Sequence, residues 1–122
     1  MADRLTEPTL DAATLEALIE AVGGDRSFLA ELIDAYLSDA ADMVAGLEAA
    51  AASASVEDLV RPAHTLKSNS ANLGALRLAA LCRSLEADAR AGAVADPTSR
   101  VAAVSEELER VRPALLAARD GG

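Results

Sequence analysis

The single histidine of the chain, His64, is followed three residues later by the single lysine, Lys67. A solvent-exposed imidazole is largely neutral near pH 7, and one of its ring nitrogens has a lone pair that can attack phosphorus. A lysine one helical turn away can balance the charge of phosphoryl oxygens, and the hydroxyl of Ser68 can donate a hydrogen bond to them. This group of residues indicates phosphoryl-transfer chemistry.

The spacing of these residues places them on one side of a helix. At about 100° per residue, Lys67, Ser68 and Ala71 project within about 60° of His64. The apolar stripe of the same helix points largely the other way and consists of Leu59, Leu66 and Leu73. We therefore expect His64 to be at least half exposed. Ala71 and Gly74 keep the surrounding surface low, so that the active site of a partner can come close.

Five segments of the chain have apolar residues at three- and four-residue steps, which predicts amphipathic helices. Asp11, Asp25 and the pair Asp96-Pro97 are typical helix starts, and Ser55 with Asp58 resembles a capping box. The first helix is short, and the connections between the others are short as well. The pattern predicts an all-α fold, an antiparallel up-and-down four-helix bundle with a short additional N-terminal helix.

Length and composition fit one helical domain. The chain has 122 residues, is 52% hydrophobic and contains two aromatic side chains, which favours helices over a sheet. We expect a flexible leader at 1–10, the domain at 11–118 and a disordered tail at 119–122. Cys82 is the single cysteine, so an internal disulfide is excluded. No signal peptide or membrane-spanning run is visible, which predicts a soluble, cytoplasmic protein.

The charge distribution argues for a protein partner. The net charge of −9 disfavours nucleic acid and anionic membranes, because both attract basic surfaces. Residues 61–90 are the exception, since five basic side chains against two acidic ones give this segment a net charge of +3. A local basic patch on an acidic body therefore surrounds His64.

The sequence around His64 also resembles a known family. The run at 63–75 reads AHTLKSNSANLGA, the segment at 22–25 reads VGGD, and Leu85-Glu86 is followed by Arg90. Together these features resemble the histidine-containing phosphotransfer (HPt) domains of two-component phosphorelays, and the resemblance extends over 11–118. The motif is specific because the histidine, the lysine, the small residues and the glycine must all fall at fixed offsets.

The resemblance implies a phosphorelay intermediate. His64 would be the phosphorylated residue, receiving the phosphoryl group from a receiver-domain aspartate and passing it to the aspartate of another receiver, with Lys67 assisting. Ser68 stands where many family members have glycine. The partners would be the receiver domains of a hybrid histidine kinase and of response regulators. The chain would be a monomeric phosphoryl carrier with no kinase activity and no cofactor of its own, and Mg²⁺ would belong to the receiver domain.

Recognition of the receiver should use an open surface rather than a pocket. We expect the acidic active site of a receiver to face basic residues near His64, and small apolar residues to supply further contact. The predicted partner-binding residues are Val60, Arg61, Ala71, Gly74 and Arg77.

Three other functions would each require different sequence features. A silent helical adaptor would bind receivers or other signalling proteins without phosphotransfer, but it would not need the pair of His64 and Lys67. A dimeric histidine kinase core would require a longer helical hairpin and usually an ATPase-like remnant after it. A hydrolase would need a second base, a carboxylate pair or a metal cluster beside the single histidine. The silent adaptor is the alternative that stays open.

Overall fold

The computed structural model describes residues 9–121. The predicted leader at 1–10 and tail at 119–122 therefore fall partly outside the described residues. The helices are α1 (Ala12–Ala21), α2 (Arg26–Ala52), α3 (Val60–Asn72), α4 (Leu76–Arg90) and α5 (Pro97–Arg119), with a 3₁₀ turn at Glu57–Leu59 before α3. Arg119, at the start of the predicted tail, is the last residue of α5. Within the described range, no helix combines the length and apolarity needed to cross a membrane.

Aspartates cap three of the helices, as the sequence predicts. Asp11 accepts a hydrogen bond from the Thr14 backbone N–H at 3.0 Å, and Asp25 accepts one from the N–H of Phe28 at 3.1 Å. Asp96 accepts from the N–H three residues on at 3.3 Å. Each carboxylate satisfies a donor that has no partner within its own helix. The starts of α1, α2 and α5 are thereby confirmed.

The start of α3 differs from the sequence prediction. The expected capping box at Ser55 and Asp58 does not form, because neither the 3₁₀ turn nor α3 begins with a side-chain cap hydrogen bond. The Asp58 backbone N–H instead donates to the carbonyl of Ser55 at 3.2 Å. A 3₁₀ turn satisfies early N–H groups through backbone carbonyls, and the fully buried Leu59 anchors that turn in the core.

Helices α2 to α5 form the predicted antiparallel bundle around one core. Each long helix contributes large buried side chains, which include Leu29, Ile33, Leu47, Leu66, Leu78, Leu85, Val104, Val111 and Leu115. Burial of such side chains stabilises the fold by about 1.5–3 kcal/mol each before the entropy cost of folding is counted. The all-α class and the bundle are confirmed.

Helix α1 is attached to one end of the bundle through Gly74, the middle residue of the turn between α3 and α4. The Asp11 N–H donates to the carbonyl of Gly74 at 2.8 Å. Gly74 has a φ of +84°, and a Cβ at this position would lie 3.0 Å from the Asp11 carbonyl oxygen. A glycine is needed here because both the left-handed backbone and the close approach disfavour a side chain.

The packing of α3 decides which side chains remain outside. Ala63, Leu66 and Ser70 are buried on its inner face. The Ser70 hydroxyl and the Tyr36 hydroxyl of α2 share a buried hydrogen bond at 2.8 Å. Since successive residues lie about 100° apart on a helix, this inner face turns the neighbouring His64 outward.

Candidate functional site

His64 lies on the outer face of α3, and its side chain is 53% exposed. One ring nitrogen is nevertheless engaged, since Nδ1 lies 2.9 Å from Oε2 of Glu86 on α4. A carboxylate only accepts hydrogen bonds, so Nδ1 carries the proton and donates it to Glu86. The lone pair of the neutral ring is therefore on Nε2, which is the nitrogen available for nucleophilic attack.

Glu86 also pairs with two cations. Lys67 Nζ lies 2.7 Å from Oε1, and the Arg90 guanidinium places Nε at 2.9 Å and Nη2 at 2.8 Å from Oε2. The Glu86 side chain is only 8% exposed. We call His64, Lys67, Glu86 and Arg90 the His64 cluster.

The hydrogen-bonding partners keep Glu86 ionised. The hydrogen bond from Lys67 is the main cause that lowers the pKa of Glu86 to about 2, with further lowering by the hydrogen bonds from Arg90 and His64. Burial acts in the opposite direction but is outweighed. The cluster therefore holds a fixed negative charge directly behind the imidazole and two cations beside it.

Several of the predicted site residues share the face of α3 that carries His64. Arg61 and Ser68 are exposed, and Val60 and Ala71 are half-buried. These residues lie three, four and seven positions from His64 along α3, which are the spacings that place side chains on one side of a helix. The structure thus brings a cation, a hydroxyl and two small apolar surfaces around the imidazole.

Two other predicted partner-binding residues lie elsewhere. Gly74 is buried against Asp11, and the rise of a helix puts it about 15 Å along the chain from His64. Arg77 points to α5, where its Nε lies 3.6 Å from a carboxylate oxygen of Glu107. Their participation in partner binding stays a prediction.

Sequence reasoning did not identify Glu86 and Arg90 as site residues. A signal for both was present. Glu86 follows the core residue Leu85 directly, and a charge at the edge of an apolar stripe needs a partner when it is buried. Arg90 stands four residues further on, at the spacing of a helical ion pair.

Comparisons with known proteins identify the family of this chain. The model of the Hpt domain family matches residues 31–114, and the chain therefore belongs to that family. Its structure is similar to the crystal structure of histidine-containing phosphotransfer protein B (HptB) from Pseudomonas aeruginosa PAO1. The TM-score is 0.86 with 28% sequence identity over 95% of this chain and 98% of that chain. No curated protein matches the sequence.

Family membership establishes the general function. The chain is a phosphotransfer intermediate of a phosphorelay, as predicted, and the silent-adaptor alternative is not favoured. Hpt domains carry no cofactor of their own and exchange phosphoryl groups with receiver domains of two-component systems.

Proposed function

We propose that His64 carries the phosphoryl group on Nε2, accepting it from the aspartyl phosphate of one receiver domain and giving it to the aspartate of another. The observation that supports this proposal is the contact of Nδ1 with Glu86, which orients a ring that is still half exposed. A nucleophile with a fixed orientation and an open approach is the main requirement of phosphoryl transfer.

The transfer itself needs no further reagent from this chain. The Nε2 lone pair attacks phosphorus, the P–O bond to the aspartate breaks, and the electron pair of that bond leaves on the carboxylate. Ion pairs with Glu86 hold Lys67 and Arg90 beside the ring. Both cations can neutralise the negative charge that builds up on the phosphoryl oxygens. The Ser68 hydroxyl can add a hydrogen bond.

The partner surface follows from the residues around the ring. The acidic active site of a receiver would lie over Arg61 and Lys67, and Val60 and Ala71 would contact its apolar rim. The receiver would hold Mg²⁺ with its own carboxylates. We further propose that the chain acts as a monomer in the cytoplasm, between a hybrid histidine kinase and a response regulator.

The direct test is acid-labile phosphorylation. The protein is incubated with a ³²P-labelled phospho-receiver and Mg²⁺, alongside His64→Gln and an Arg112→Gln control on α5. We expect acid-labile, base-stable label on wild type and on the control, and none on His64→Gln. If well-folded wild type stays unlabelled across a panel of receivers, the proposal is wrong and the chain is a silent adaptor.

A further inference from the structure

The group that accepts the hydrogen bond from Nδ1 of His64 is the carboxylate of Glu86. Its negative charge becomes important once phosphorus is attached to Nε2. Any hydrogen-bond acceptor, including the amide oxygen of a glutamine, could orient the ring through Nδ1. A carboxylate adds a negative charge 2.9 Å from the ring nitrogen. That charge must affect whether the phosphorylated ring keeps its proton.

We infer that Glu86 holds the proton on Nδ1 after His64 is phosphorylated, so that the imidazole ring stays cationic and the phosphoryl group stays reactive at neutral and mildly alkaline pH. The inference rests on the proposed function of His64. It assigns Glu86 a role beyond orientation, as the group that sets the protonation state of the phosphoryl carrier.

The charges around the ring support this role. Attachment of the phosphoryl group brings up to two negative charges, Glu86 supplies a third, and the cations that pair with Glu86 are Lys67 from α3 and Arg90 from α4. Arg61 is a further, exposed cation on the same face of α3. The Glu86 carboxylate is the charge in direct contact with Nδ1, so that its removal makes the protonated ring less stable. The carboxylate is ionised throughout the relevant range, since its pKa lies at about 2.

The other titratable groups nearby do not alter these charges. Burial raises the pKa of the Cys82 thiol, which faces Glu86 on α4, to about 12. Burial likewise raises the pKa of Tyr36 on α2 to about 12. The buried acid of α5, Glu107, pairs with Arg77 and Arg110. The Tyr36 hydroxyl and the Cys82 thiol are therefore neutral, and the charge of Glu107 is balanced by its own arginines.

The proton decides how easily the phosphoryl group leaves. When an acceptor oxygen attacks phosphorus, the P–Nε2 bond breaks and its electron pair returns to Nε2. With a proton on Nδ1, the departing group is a neutral imidazole that is already bonded to Glu86. Without that proton the departing group is an imidazolate anion, which is a much poorer leaving group.

Glu86→Gln separates charge from orientation, because the amide oxygen can still accept the Nδ1 proton. Wild type and Glu86→Gln are phosphorylated with phosphoramidate, or with the receiver panel, and hydrolysis is followed by ³¹P NMR from pH 5 to 10. We expect hydrolysis to slow as the ring loses its proton, with the midpoint roughly one to two pH units lower in Glu86→Gln. Midway between the two midpoints the variant should hydrolyse about three- to tenfold more slowly.

Glu107→Gln is the matched control, since it removes another buried glutamate that pairs with arginines. Its midpoint should equal that of wild type. A second measurement needs no variant, because ¹⁵N NMR of phosphorylated wild type should show Nδ1 protonated at pH 8.

The outcomes distinguish the role of Glu86 from the carrier function of His64. Equal midpoints in wild type and Glu86→Gln, or a deprotonated Nδ1 at pH 8, overturn the role of Glu86 and leave the carrier function intact. Folded wild type that accepts no acid-labile phosphate from phosphoramidate or any receiver overturns the proposed function and the inference together.

Discussion

Removal of the Tyr36 hydroxyl tests the one buried side-chain hydrogen bond that joins α2 to α3 in the described part of the chain. Tyr36 is 4% exposed and Ser70 is 0% exposed, and their hydroxyl oxygens are 2.8 Å apart. Burial raises the pKa of Tyr36 to about 12, so its hydroxyl stays neutral in any ordinary buffer. Tyr36→Phe keeps the ring in the core and deletes only the oxygen.

The expected magnitude follows from what each substitution leaves behind. Tyr36→Phe leaves the Ser70 hydroxyl buried without this partner, and Ser70→Ala does the same to the Tyr36 hydroxyl. Each orphaned group should lower the free energy of unfolding by about 1–2 kcal/mol. The double variant orphans neither group and should cost about as much as one single variant. The coupling energy of the pair is therefore about 1–2 kcal/mol.

The assay is urea unfolding of all four proteins, followed by circular dichroism at 222 nm because Tyr36 is the single tyrosine and its fluorescence is lost in the variant. Unchanged m-values would show that the comparison measures stability. If the two single effects add to within about 0.3 kcal/mol in the double variant, the hydrogen bond contributes nothing and the reasoning fails.

Three further predictions concern the His64 cluster and the end of α2. The pKa of Glu86 is lowered from an ordinary 4.5 to about 2. Ionised Glu86 therefore stabilises the fold above pH 4.5, and this stabilisation is lost as the pH falls toward 2. In urea unfolding, the stability advantage of wild type over Glu86→Gln should therefore shrink by about 2 kcal/mol between pH 5 and pH 3. Ala54 has a left-handed φ of 57° after α2, so Ala54→Gly should raise the unfolding free energy by about 0.5–1 kcal/mol in thermal unfolding. Lys67→Gln and Arg90→Gln should each slow phosphoryl transfer from a phospho-receiver about tenfold or more in single-turnover kinetics.

Each of these predictions has a matched control. Glu48→Gln, at an exposed position on α2, should show the same change of stability with pH as wild type. If Glu86→Gln also matches wild type, the ion pairs of Glu86 do not stabilise the fold. Ala49→Gly replaces an exposed alanine inside α2 and should destabilise by about 1 kcal/mol, so destabilisation by Ala54→Gly as well would refute the strain argument. Arg112→Gln should leave transfer rates unchanged, and equal rates in the Lys67 and Arg90 variants would remove those residues from the chemistry.

Much of the fold is encoded locally and could be predicted from the sequence. Apolar residues at three- and four-residue steps predict the helices, and aspartates such as Asp11 and Asp25 predict their starts, because a cap depends on neighbours three residues away. The start of α3 was mispredicted at Ser55 because the burial of Leu59, a tertiary contact, favours a 3₁₀ turn that sequence pattern does not show.

The site was predictable only in the part that lies on one helix. His64, Lys67 and Ser68 have fixed relative positions on α3, so their spacing sufficed. Glu86 and Arg90 enter the cluster through the register of α4 against α3. That register is set by core packing across two helices, which the periodicity of either helix alone does not reveal.

The His64 cluster draws all four of its groups from α3 and α4, which are joined by the short turn at Gly74. The charged groups of the cluster therefore lie within a stretch of sequence shorter than 30 residues, and contacts so close in sequence form quickly during folding. Helices α1, α2 and α5 can diverge in sequence without disturbing this hairpin, provided that they still cover its apolar side. The reactive centre can thus be inherited as a unit, since all of its groups lie on one hairpin.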